Sequence, residues 1–336
     1  MRFFKRGGEE SLDARLATFW VWWAGARADI ARDIPIRLVA RHAGEISQAV
    51  EAIDKRLAWE LGKGQSSQHM LVVTPEGNAE VRPIALAWLA SAPPADATWE
   101  YHASRQPGEP RTLVVAGATI ELSEVRVIGI WDESREVVDV FLWHPAFEPL
   151  ADTARQQIAL LFLDNLLGED DVERWIGAIE IDPSALEGGT PEELAAEVRR
   201  GAATATGDAW AIAEGTDARG SPVLLRYNAS VKRIDHPLAN HHLAVTVDGG
   251  LDHADDQERR RLVMTAEEQL DTDLAGTAFA IAFITHAEGR TMHFVCEDPE
   301  RASAIAHEWA GLYPELSPKV VVESDPKWSF RSAYSA

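Results

Sequence analysis

A chain of 336 residues is long for one core and suits two, at roughly 150 residues per domain. Its 46% apolar and 26% charged residues are those of a chain that folds, which excludes wholesale disorder and fibrous repeats. Acidic residues number 54 against 32 basic ones, and the resulting net charge of −22 repels a phosphate backbone, so nucleic acid and anionic membranes are set aside and a basic protein partner is favoured. The single cysteine, Cys296, excludes an internal disulfide and any metal site that needs two thiolates. The opening "MRFFKRGGEE" passes from basic residues into acids and does not read as a signal peptide, and no apolar run reaches the ~20 residues of a membrane helix. The expected compartment is the cytoplasm.

In chain order, residues 11–33 place Leu12, Leu16, Phe19, Trp20, Trp23 and Ile30 near helical spacing behind Ser11 as N-cap. A second helix is expected through "EISQAVEAIDKRLAWELG", with Ile46, Val50, Ile53 and Leu57 as its stripe. "HMLVVTPEGN", "TWEYHAS", "TLVVAGATIEL", "EVRVIGIWD" and "EVVDVFLWH" read as strands, and "EVRPIALAWLASAPP" as an intervening helix stopped by Pro93 and Pro94. "ADTARQQIALLFLDNLLG" reads as a helix and "WIGAIEIDP" as a closing strand. The segment 184–207 is a small, polar connector with one short helix, in which Thr190 is the N-cap and Pro191 the first helical residue. From His241 onward, strand, helix, two strands around "EGR", helix and strand give β-α-β-β-α-β, the split pattern of ferredoxin-like folds.

The expected fold class is therefore α+β in two domains. Residues 1–183 form an N-terminal α+β domain, a mostly antiparallel sheet covered by helices; 184–207 is a linker with a short helix; and 208–336 is a C-terminal ferredoxin-like sandwich.

That order, together with "ITHAEGRTMHFVCED" and "DPKW" at Asp325 to Trp328, resembles the bacterial domain-of-unknown-function 695 family over about the last third of the chain. The first half, with "FWVWWA", "VVTPEGNAEVRP" and "LDNLLGEDDVERWIG", resembles an uncharacterised bacterial region found with such domains. The plait arrangement is also similar to that of the ribonuclease E regulator B family of acidic protein inhibitors. These resemblances imply a fold and bring no functional residues with them.

Chemistry has few places to sit. The acids Asp164, Glu169, Asp170, Asp171 and Glu173 could hold Mg²⁺ or Ca²⁺, but Leu166 and Leu167 occupy positions where an EF-hand needs oxygens. The simpler expectation is a solvated connection, with Gly168 as a left-handed helix cap. A second cluster spans 235–256, where His236, His241, His242, Asp252 and His253 are the residue types that Zn²⁺, Mn²⁺ or Fe²⁺ would use. His241 and His242 are adjacent on a strand and must face opposite ways, so only one can join a given site. His286 and His293 flank the "AEGR" turn as a cross-strand pair, and Cys296 reads as a small buried hydrophobe. Trp20, Trp22 and Trp23 cannot share one helix face, which makes Trp22 the candidate interface residue. No P-loop, GxSxG, GxGxxG, CxxC or kinase motif occurs.

The functional expectation is a non-enzymatic acidic binding or regulatory module that holds a basic protein and needs no cofactor. Ferredoxin-like modules often pair through their sheets, which allows a homodimer. The alternative is a metal-dependent hydrolase or metal-binding protein that uses a divalent ion at 235–256.

Overall fold

The computed structural model describes residues 10–109, 112–115, 117–181, 189–217, 219–250 and 256–333. The fold is α+β. Helix α1 (Leu12–Asp33) starts where the Ser11 hydroxyl accepts a hydrogen bond from the Ala14 N–H. It turns Leu16, Phe19, Trp23 and Ile30 into a core, carries Trp20 and Trp22 on the flanks of that stripe, and leaves Val21 exposed between them. Rings of Phe19, Trp20, Trp23, Trp88, Trp99 and Tyr101 pack with centroids 4.9–6.5 Å apart. The buried Trp23 indole donates to the Tyr101 hydroxyl at 3.0 Å.

The second helix, α2 (Ala43–Glu51), is shorter than its apolar stripe suggested. Asp54 accepts from the Arg56 N–H, a local bond that competes with the helix, and the chain turns into strand β1 (Ala58–Lys63). Ile53 and Leu57 are still buried, but from the turn rather than from a helix. Strand β1 is antiparallel to β2 (His69–Thr74). Helix α3 (Arg82–Ala90) then leads to β3 (Trp99–His102), which lies parallel to β2. Residues 112–122, expected as one strand, contain a hairpin of β4 (Thr112–Val115) and β5 (Ala118–Glu121) that turns at Gly117, φ +80°.

Strand β6 (Arg126–Asp132) is antiparallel to β7 (Val137–Trp143). Helices α4 (Asp152–Leu167) and α5 (Glu169–Trp175) follow, and β8 (Ile176–Ile181) pairs parallel with β7. The single, mostly antiparallel sheet expected over 1–183 is thus, among the described residues, three sheets, with β2/β3 and β7/β8 parallel. A parallel pair needs a long connection, and in both cases helices intervene in sequence.

Helix α6 (Pro191–Thr204) starts behind Thr190, the N-cap read from sequence, and closes a capping box there: Thr190 accepts from the Glu193 N–H and Glu193 accepts from the Thr190 N–H. Strands β9 (Trp210–Thr216) and β10 (Pro222–Asn228) form a hairpin. The rest is β11 (His241–Asp248), α7 (Gln257–Leu274), β12 (Ala278–Thr285), β13 (Gly289–Cys296), α8 (Pro299–Leu312) and β14 (Lys319–Ser324), the order read from sequence. These strands lie β14-β11-β13-β12-β10-β9, every neighbour antiparallel, so β10 and β9 extend one edge of a four-strand split-β-α-β sheet. One face buries Leu243, Val245 and Val247 with Val263, Leu270 and Trp309 of the two helices. The other buries Ile281 and Val295 with Trp328, whose indole donates to the Ala239 carbonyl at 2.8 Å. Asp325 accepts from the Ser329 and Phe330 N–H groups, so the "DPKW" motif anchors the tail of the chain to the sheet.

Cα packing divides the chain into residues 1–123 with 149–173 and residues 124–148 with 174–336. This differs from the division expected at 184–207, because α6 packs on β6 and both belong to the second unit. Among the described residues no helix is long and apolar enough to cross a membrane.

Candidate functional site

Of the acids of residues 164–173, expected to face water, Glu169 is buried and Asp164 and Glu173 turn partly inward within the first unit. Glu169 is 5% exposed and accepts hydrogen bonds from the Thr74 hydroxyl, the Gly77 N–H at 2.9 Å and the Arg105 N–H at 3.1 Å. Its own N–H donates to the Arg105 carbonyl at 2.9 Å. One carboxylate therefore ties the β2 exit turn and the 104–107 segment to the start of α5. Gly168 makes the approach feasible: φ is +85° and ψ 152°, not a left-handed cap, and a Cβ there would meet Pro107 Cδ at 2.9 Å.

Two arginines from remote segments supply the counter-charge. Arg82, 4% exposed on α3, donates to Asp170 at 2.8 Å and to Glu173, and lies 4.0 Å from Glu169. Burial works against the Arg82 charge, but Glu173 and Asp170 outweigh it and its pKa rises. Burial also raises the Glu173 carboxyl, against the pull of Arg82. Arg105 is shared by three carboxylates, at 2.5 Å from Glu76 and 3.5 Å from both Glu60 and Asp164.

Glu60, Arg105 and Asp164 line a cavity of about 760 Å³ together with Lys63, Met70 and Asn165. Asp164 is held there by α4, three residues after Leu161 and three before Leu167, on a half-buried flank. Burial, then the neighbouring Glu169, pushes its carboxyl up to about 6, with Arg105 opposing. The Gln65 side of the cavity is fixed by a buried carboxylate. Glu100, 6% exposed, accepts from the N–H groups of Gln65, Ser66 and Ser67 at 2.7–2.8 Å and so fixes the loop after Lys63. Burial resists its ionisation, but those three donors hold its pKa down to about 2. The arrangement can do two things chemically: accept a cationic group between Glu60 and Asp164, or lend a proton from Asp164.

The histidine-rich segment of the second unit is not drawn together in the same way. His236 stacks on Phe279, ring centroids 4.0 Å apart, and on Trp328, and burial lowers its pKa. His241 and His242 occupy successive positions of β11, and His242 is buried on the face that meets Phe330. Its Nε2 lies 2.9 Å from His293 Nδ1 and its Nδ1 lies 3.2 Å from Glu323, a chain of groups rather than a convergent set. Burial, then His242 and His286, brings the His293 pKa down to about 3. Asp252 and His253 lie outside the described residues. Among the described residues no three His, Cys, Asp or Glu side chains are placed to hold a metal ion.

His293 faces Ala282 across the hairpin, and His286 pairs with Gly289, so these two histidines are not opposite each other as expected. The bulge between Ala280 and Ala282 and the tight turn set that register. Cys296 is buried, and burial pushes its thiol up to about 11. Trp22 is half-buried beside Phe19 and Trp23 and lines an apolar groove of about 290 Å³ with Thr18, Ala49 and Ala52.

Comparison with known proteins returned no match among family models, curated proteins or solved structures. The site's acids were visible in sequence, but Glu60, Arg82 and Arg105 were not singled out. The available signal was the three-residue spacing that puts Asp164 in line with Leu161 and Leu167.

Proposed function

We propose that the protein is a non-enzymatic binding module of the cytoplasm whose first unit takes a lysine or arginine side chain of a basic protein segment between Glu60 and Asp164. The observation that carries this reading is the sharing of Arg105: its close contact goes to Glu76, and the two cavity carboxylates are left at 3.5 Å from it. Loosely held carboxylates in a half-buried cavity favour an added cation with hydrogen-bond donors. The net charge of −22 adds steering for such a partner. The last third resembles the domain-of-unknown-function 695 family, a likeness that bears on fold and supplies no activity.

Calorimetric titration of the full chain with an oligo-arginine peptide tests the reading. Affinity should fall at least about tenfold in Glu60→Gln, and should fall as pH drops through about 6, where Asp164 takes up a proton. No heat of binding, or binding untouched by Glu60→Gln, overturns it.

The high Asp164 pKa favours a second reading, in which Asp164 is a general acid beside Glu60 in a hydrolase. Turnover of a substrate lost in Asp164→Asn, with binding retained, would select that reading over the first.

A further inference from the structure

We propose that the second unit pairs with a second copy of this chain through β9, continuing the six-stranded sheet across an antiparallel β9–β9 junction with Ile212 opposite its own counterpart. This is independent of the cavity in the first unit. Among the described residues no strand pairs with the outer edge of β9. Such an edge is a template for another strand, and proteins usually blunt it with lysine, proline or a bulge. The opposite edge, β14, follows that rule with Lys319 and Glu323. Strand β9 does not: it is seven residues long, has Glu214 as its one charge, and keeps an unbroken register with β10.

Trp210 and Ile212 are 38% and 71% exposed, on the same side of the strand. Helices α7 and α8 pack on β11, β12 and β14, and leave that side of β9 uncovered. Partner identity follows from charge. Arg226 of β10 and Arg290 of β13 both bond Glu267, each at 2.6 Å, so two guanidiniums share one carboxylate in an acidic chain. Arg226 is 44% exposed at its side chain and lies over the Trp210 ring at 5.2 Å. With Ile212 opposite Ile212, the second copy's Glu214 falls opposite Trp210 and supplies a second carboxylate to Arg226, whose Glu267 is shared with Arg290, and the two-fold axis repeats the contact. A register centred on Ala213 would instead set Glu214 against Ile212, a charge on an apolar side chain.

Sedimentation of the full chain over a range of concentrations should show a reversible dimer. Ile212→Lys sets two like charges opposite each other at an exposed position and should weaken dimerisation at least about tenfold without changing helix content. Ile212→Cys should yield a disulfide-linked dimer on mild oxidation, since the native Cys296 is buried. A wild-type monomer at all concentrations, a dimer that persists in Ile212→Lys, or no cross-link from Ile212→Cys would each overturn the proposal.

Discussion

Residues 164–173 of the first unit and 235–256 of the second are similarly dense in side chains that bind ions, yet the fold treats them in opposite ways. In the first, Glu169 is buried because three donors and the Arg82 guanidinium reach it from elsewhere in the chain. In the second, His236 becomes a stacking partner for Phe279, and His242 lies on the β11 face that meets Phe330 and the tail. The difference lies in what each segment meets. A carboxylate enters a protein interior only when charge or donors accompany it, whereas a neutral imidazole can enter as an aromatic ring. Density of ion-binding residue types is thus a poor guide to a site, and the positions of counter-charges are a better one.

Removing the buried carboxylate tests the comparison most severely. Glu169→Ala leaves the Thr74 hydroxyl and the Gly77 and Arg105 N–H groups without their acceptor, and should cost about 3–5 kcal/mol. The tryptophan cluster of α1, α3 and β3 sits in the same unit, so its fluorescence during denaturant unfolding reads this loss directly. A loss under about 1 kcal/mol would mean that Glu169 is solvated after all.

How much of this was legible in sequence depends on where each element gets its stability. Strand β11 was readable because Leu243, Val245 and Val247 alternate and all three enter the core. Strand β9 was not, because nearly all its residues are exposed and alternation has no buried face to follow. Helix α5 was missed for a related reason: Asp170 and Glu173 are held by Arg82 of α3, and no apolar stripe announces such a helix. Arg105 lies in an irregular segment with no period at all, so its meeting with Glu60, Glu76 and Asp164 is a product of tertiary structure. The fold order was largely carried by local pattern, and the candidate site by contacts between segments distant in sequence.

Asp164 sharpens the comparison by a smaller amount. Its folded pKa of about 6 stands above the ordinary 3.8, so the folded state binds this proton more tightly than the unfolded chain does. The ionised carboxyl therefore destabilises the fold fully above about pH 6, and that cost fades as pH falls toward 3.8. Asp164→Asn should raise stability by about 2 kcal/mol near pH 8 and add almost nothing near pH 4. Melting curves of both proteins across that range decide it. A substitution that stabilises the chain while weakening peptide binding is what a retained, strained binding residue predicts. A uniform loss of stability at every pH would instead make Asp164 a structural partner of Arg105.

The smallest effect is expected at His236, and its smallness is the point. The imidazole lies 4.0 Å from the Phe279 ring centroid and 6.1 Å from that of Trp328, and burial lowers its pKa. If packing is its role, His236→Phe keeps the ring, removes two polar nitrogens from a half-buried place, and should alter stability by about 0.5 kcal/mol or less. If His236 ligates a metal with groups of 235–256, the same change should abolish the melting shift produced by added Zn²⁺ or by EDTA in the wild-type chain. Thermal melts of the two proteins with and without each additive separate these outcomes, since phenylalanine can replace a stacked ring and cannot replace a ligand.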